Sequence, residues 1–263
     1  MARFFHSQWP TFGSYKNPDP AKVEASPYYW WWYALTLNDE YAQLCERMAN
    51  GAAAQPRGPS ARQMRAVYDD FGDVRYEGNR YVAFCQWWRA KVHTGEERGV
   101  YLFAEPPHTA SVRHITNADA ATAVLEEQDT ILVAINVTRQ IKHIDGKLER
   151  ILRKHMGNIK KGRQVRDPKF SQARYSLSKT ILIPTLKKTF SVYAARAAAE
   201  AEGRKISNEA VAEQVQLEYH EREKDEAALT AAQRRRVISA IVSRHMKDAK
   251  TMIENVGLGV FPK

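Results

Sequence analysis

From position 28 the chain is apolar at nearly every step, then at spacings of three and four: Tyr28, Tyr29, Trp30, Trp31, Trp32 and Tyr33 lead into Ala34, Leu35, Leu37, Tyr41, Leu44, Cys45 and Met48. That spacing predicts one or two packed helices from Pro27 to about Ala49. The 26 residues before it are rich in Pro, Ser, Lys and Gly without a sustained period and read as an irregular arm. The stretch NGAAAQPRGPSARQ after it reads as a loop. Around Tyr81, the residues Phe84, Cys85, Trp87, Trp88 and Lys91 again recur at three and four and predict a helix with one aromatic face.

The pattern then changes. Val100–Ala104 and Val112–Ile115 have the short, β-rich look of strands separated by the turn former EPPH, and a helix over Ala118–Glu127 follows with Asn117 as N-cap. Ile131–Val137, ILVAINV, is the strongest strand candidate in the chain, an aliphatic run suited to a buried position. Thr138 can cap the next helix, whose apolar stripe is Ile141, Ile144, Leu148, Ile151 and Leu152 and whose other faces are basic. Positions 157–179, GNIKKGRQVRDPKFSQARYSLSK, lose the apolar period and read as a solvated basic linker.

Past the linker, the pattern is helical throughout. Thr185–Glu202 carries Leu186, Phe190, Tyr193 and Ala197 on one face and stops at Gly203; Ser207 caps a short helix over NEAVAEQVQLEY; Thr230 and Gln233 have capping-box spacing ahead of a last helix running to about Asn255. The expected fold class is therefore α+β. An N-terminal mixed domain (27–156) holds a small sheet and helices. After the arm (1–26) and the linker (157–179), a C-terminal all-helical domain of helix-turn-helix type (180–263) completes the chain.

Charge sharpens this picture. The chain carries 40 Lys or Arg against 30 Asp or Glu, a net charge of +10. Between Arg139 and Lys188 there are fifteen cations and three acids, so one fifth of the chain carries +12 and the remainder about −2. Basic character confined to one region points to a polyanionic partner. In the last helix, Arg234, Arg235 and Arg236 fan over most of a turn, with Ser239, Ser243, Arg244, Lys247 and Lys250 further along. Arg234, Arg235, Arg236, Arg244 and Lys247 are the candidate DNA contacts, and Lys160, Lys161, Arg163 and Arg166 the candidate phosphate clamps. A plain helical bundle with a basic end is the alternative, and the spacer EREKDEAAL is longer than the usual turn of a helix-turn-helix.

The aromatic run lacks the flanking cations of a base-stacking platform and the length of a membrane span, so it reads as core. Six consecutive positions cover every side of a helix, which leaves some rings for a protein contact, with Tyr29, Trp30 and Trp31 as the candidates. No catalytic constellation, cofactor motif or metal-ligand spacing is recognisable; Asp69, Asp70 and Asp73 form an acidic cluster that reads first as solvated and otherwise as a divalent-ion site of a nuclease. Cys45 and Cys85 read as buried reduced thiols. The N-terminus lacks a signal-peptide core and no apolar run reaches membrane length, from which a cytoplasmic location is expected.

SPYYWWWYALTLNDEYAQLCE, with Trp32, Ala34, Leu35, Leu37, Asn38 and Tyr41 at the matching places, resembles the "WxFLRxNxxY" segment of transcriptional-regulator-like, DNA-associated proteins of proteobacterial mobile elements and phages. Thr36 stands where that pattern has a basic residue, and FCQWWRAKVHTGEERGVYLFAEP and ILVAINVTRQIKHIDGKLERILRKH read like other proteins of the same elements. The resemblance implies a DNA-associated role and carries no catalytic residue. The expected function is that of a double-stranded DNA-binding regulator or accessory factor, with RNA as the other possible nucleic acid and a homo-oligomer or protein partner held by the N-terminal domain. The rival reading is an adaptor that grips a protein through exposed rings.

Overall fold

The computed structural model describes residues 5, 10–14, 16–51, 58–106, 112, 114–125, 130–156, 171–217 and 230–262. Chain contacts divide it into one unit of residues 1–107 and 167–263 and another of residues 108–166.

The first unit is built from helices whose starts are written locally. Asp19 caps α1 (Pro20–Glu24), and proline at the first helical position, where no amide donor is needed, opens both α1 and α2 (Pro27–Thr36). Asn38 starts α3 (Asp39–Ala49), its Oδ1 accepting from the Tyr41 amide at 2.8 Å. Then follow α4 (Pro59–Phe71), α5 (Arg80–Arg89) under an Asn79 cap, and α6 (Arg98–Phe103). The loop expected over 50–63 thus ends early: Gly58-Pro59 is the entrance of α4, because proline suits a helix's first turn as well as it suits a loop.

The centre of this unit is α2, apolar on all sides. Its six rings are each at most 7% exposed because different elements cover different faces. Trp30 stacks on Phe190 at 5.5 Å, Tyr29 meets Phe84 edge-on at 5.4 Å, Trp32 contacts Tyr76 and Trp87, and Trp31 lies among Phe71, Phe103, Tyr175 and Phe261. Such ring pairs add about 0.5–1.5 kcal/mol each beyond their buried area.

Three further helices complete the unit. In α9 (Ile183–Ala201), Leu186 and Phe190 pack into the aromatic core, and Gly203, at φ 68°, ends the helix. Ser207 caps α10 (Asn208–Gln214), accepting from the Ala210 amide. The last helix, α11 (Ala231–Val256), opens on a capping box formed by Thr230 and Gln233. Its end joins the aromatic core through Met252, Ile253 and Val256, and Asn38 Nδ2 donates to the Ile253 carbonyl at 2.6 Å. N-terminal and C-terminal segments therefore share one interior. The linker expected at 157–179 lies outside the described residues as far as 170.

In the unit of residues 108–166, α7 (Ala118–Leu125) starts at Asn117, whose Oδ1 accepts from the Ala120 amide at 2.8 Å, and α8 (Ile141–Met156) carries the expected amphipathic pattern.

The α+β expectation is corrected: the structure is 62% helical and 3% strand, with no sheet among the described residues. Only isolated bridges occur among the described residues, Phe5 with Ala104, Gly13 with Pro18 and Lys91 with Glu97. The strand expected over Val100–Ala104 is helix α6. Packing overrides β-propensity here: Leu102 and Phe103 both enter the core, and Gly99 lies so close to Trp88 that a Cβ would stand 2.0 Å from the indole. Neither Ile131–Val137 nor the described part of Val112–Ile115 forms a strand. Among the described residues no helix is long and apolar enough to cross a membrane.

Candidate nucleic-acid interface

One side of α11 is fixed by packing and the other is left to solvent. Val242 joins Val192, Ala195, Val211 and Ala212 in a second apolar cluster beneath α9 and α10, while Ala249, Met252 and Ile253 are buried further along. Polar contacts set the rotation. Asn208 Nδ2, at the start of α10, donates to Ser239 Oγ at 2.8 Å while its Oδ1 accepts from Arg196 of α9. Thr189 Oγ1 bonds His245 Nδ1 at 2.9 Å, and burial, with the cations Lys188 and Arg244 nearby, holds that imidazole below its usual pKa, against the opposing pull of Asp248.

With that face held inward, helical geometry decides the rest. Arg236, Ala240, Arg244 and Lys247, spaced four, four and three, fall on one exposed stripe, and Ser243 lies along it seven positions after Arg236. The stripe runs about 16 Å at 1.5 Å per residue. None of its three cations has an ion-pair partner among the described residues. Arg234 and Arg235 occupy the first turns, where residues 231–236 are exposed all round, and point to other sides. Of the predicted contacts, the structure thus aligns Arg236, Arg244 and Lys247, sets Arg234 and Arg235 apart, and turns Ser239 towards α10. The clamp residues Lys160, Lys161, Arg163 and Arg166 lie outside the described residues. Asn208 and Arg196 were not anticipated, since the contact of Asn208 with Ser239 spans 31 positions and leaves no local signal.

At Glu24, by contrast, two cations share one carboxylate. Glu24 receives Lys187 Nζ at 2.6 Å, Tyr81 Oη at 2.6 Å and Arg80 Nη2 at 3.4 Å. Burial alone would push its carboxyl up, but these hydrogen bonds and charges hold it below the usual carboxylate range.

The acidic cluster is dispersed in the same way: Asp69 takes Arg65 at 2.8 Å, Asp70 takes Arg174 and Tyr175, each at 2.8 Å, and Asp73 takes Arg75 at 2.6 Å. Among the described residues no group of three or more His, Cys, Asp or Glu could hold a metal ion. Cys45 and Cys85 are free and buried, and burial pushes their thiols up to about 12 and about 11, so neither is a thiolate at neutral pH.

The aromatic partner surface expected at Tyr29, Trp30 and Trp31 is also corrected. All three are buried, because α5, α9 and the core around Phe71 cover the faces that a lone helix would expose. Trp30 Nε1 is occupied in turn, donating to the Glu24 carbonyl at 2.8 Å. No family model, curated protein or solved structure matches the chain.

Proposed function

We propose that the protein binds double-stranded DNA through the outward stripe of α11, as a cytoplasmic regulator or accessory factor of the kind that the resemblance at Ser26–Glu46 implies for mobile elements and phages. The observation that carries this reading is the row Arg236, Arg244 and Lys247, exposed and without ion-pair partners among the described residues, on a helix whose opposite face is buried. A row of cations that no carboxylate among the described residues answers is suited to phosphate oxygens, and Ser243 lies on the same side as a hydrogen-bonding group. The small side chain of Ala240, in the middle of the row, puts no bulk between the helix and a backbone approaching it. An α-helix fits the major groove of B-form DNA, whereas the deep, narrow major groove of A-form RNA does not admit it, which favours duplex DNA. The cations Lys160, Lys161, Arg163 and Arg166 would add sequence-independent grip. No enzymatic step is part of this reading. The adaptor alternative loses its stated surface, since the rings near Trp30 are interior.

Fluorescence anisotropy with duplex DNA, single-stranded DNA and duplex RNA tests the proposal. Tightest binding to duplex DNA is expected. Equal affinity for all three, or none at low salt, overturns it.

A further inference from the structure

Among the described residues, every large apolar side chain left exposed, apart from Tyr76 and Leu182, lies in the unit of residues 108–166. Its centre is the segment 131–137, where Ile131 is 37%, Leu132 45%, Ile135 49% and Val137 87% exposed. Residues 131–135 make no backbone hydrogen bond with the described residues. Yet this is the most strand-like sequence in the chain. Ile131, Val133, Ile135 and Val137 alternate with Leu132, Ala134 and Asn136, uninterrupted by Pro, Gly or a charge. A strand exists only where another edge answers its N–H and C=O groups, and the described residues contain no sheet to supply one.

We propose that residues 131–137 pair antiparallel with the same residues of a second copy of this chain, forming a two-stranded ribbon whose twofold axis passes through Ala134, with the two α8 helices covering one face. Self-pairing suits the sequence. About Ala134, Ile131 falls opposite Val137 and Val133 opposite Ile135, so one face of the ribbon is β-branched throughout. The flanking charges choose the direction: acids precede the segment in the sequence (Glu126, Glu127 and Asp129) and cations follow it (Arg139 and Lys142). Antiparallel pairing sets unlike charges opposite one another, whereas parallel pairing sets like on like. A bare two-stranded ribbon is marginal in water and needs a cover. That cover begins four residues later: α8 presents Ile141, Ile144, Leu148, Ile151 and Leu152 as one stripe, with Ile141 75% exposed. The ribbon does not depend on what α11 binds.

Light scattering coupled to size exclusion, with the full chain over a range of concentrations, tests the proposal. Proline at both positions, Val133→Pro with Ala134→Pro, removes an amide donor at the centre of the ribbon whichever of the two faces the partner strand, and Leu148→Asp places a charge in the covering stripe; each variant is expected to raise the dimer dissociation constant about tenfold or more. Val133→Thr, which keeps the amide and the β-branch, should still dimerise. Far-UV circular dichroism is expected to show the same helix content in all four proteins, separating lost association from misfolding. A wild-type chain that stays monomeric at every concentration overturns the inference, and so does a dimer that survives the paired proline change, since association would then use another surface.

Discussion

Helix α2 and the segment 131–137 are both runs of large apolar residues, and they meet opposite fates. In α2 six rings in succession are buried, whereas 131–137 leaves most of its aliphatic side chains in water. Hydrophobicity does not separate them. Neighbouring helices and the C-terminal tail give α2 a partner on every side, while the other run has a sequence that needs an edge and finds none among the described residues. Burial is thus a property of the assembly around a segment, and an exposed apolar run marks where an assembly is incomplete.

The widest separation between the two regions is expected in core truncation. Trp31→Ala should lower stability by about 3–5 kcal/mol, read by chemical denaturation, because the surrounding rings cannot collapse into the space. Ile135→Ala, measured at a concentration where the chain is monomeric, should change it by no more than about 0.5 kcal/mol. Equal losses would erase the contrast.

Next in size is Glu24→Ala, which leaves Arg80 and Lys187 without their shared carboxylate and should cost about 1–3 kcal/mol. Because the folded pKa of Glu24 is depressed, its contribution is present at neutral pH and is lost as pH falls through that folded value. The wild type and Glu24→Gln should therefore converge in stability under strong acid. Asn38→Ala removes both the α3 cap and the bond to the Ile253 carbonyl, for about 1–2 kcal/mol; hydrogen exchange should report the loss at the end of α11 as well as in α3.

The smallest effect concerns His245. Its folded pKa lies below that of the free imidazole, so the unfolded chain binds the extra proton first and stability declines as pH falls through the ordinary histidine range. Melting temperatures taken between neutral and mildly acidic pH should fall more for the wild type than for His245→Gln. Parallel pH profiles would show that His245 is not buried neutral.

Much of the helical framework is legible in the sequence, because capping is local: Asn117, Ser207, the Thr230 and Gln233 pair, and Gly203 all act where the pattern places them. What escapes is decided at a distance. Phe103 reads as strand until Trp88 and Trp31 are seen to hold α6, and the rings of α2 read as partly exposed until Phe190, more than 150 positions away, stacks on Trp30. At the proposed interface, the cations of α11 are visible from periodicity alone. Which of them share a stripe depends on the inward face, fixed by Asn208 and Thr189 on other helices.

The most direct test of the proposed interface is the salt dependence of duplex-DNA binding by the wild type and by the Arg236→Ala, Arg244→Ala, Lys247→Ala variant. Each phosphate contact contributes about 0.9 to the slope of log K against log salt, so the variant should bind more weakly and its slope should be shallower by nearly 3. A variant with wild-type affinity and slope would show that the outward stripe of α11 does not touch DNA.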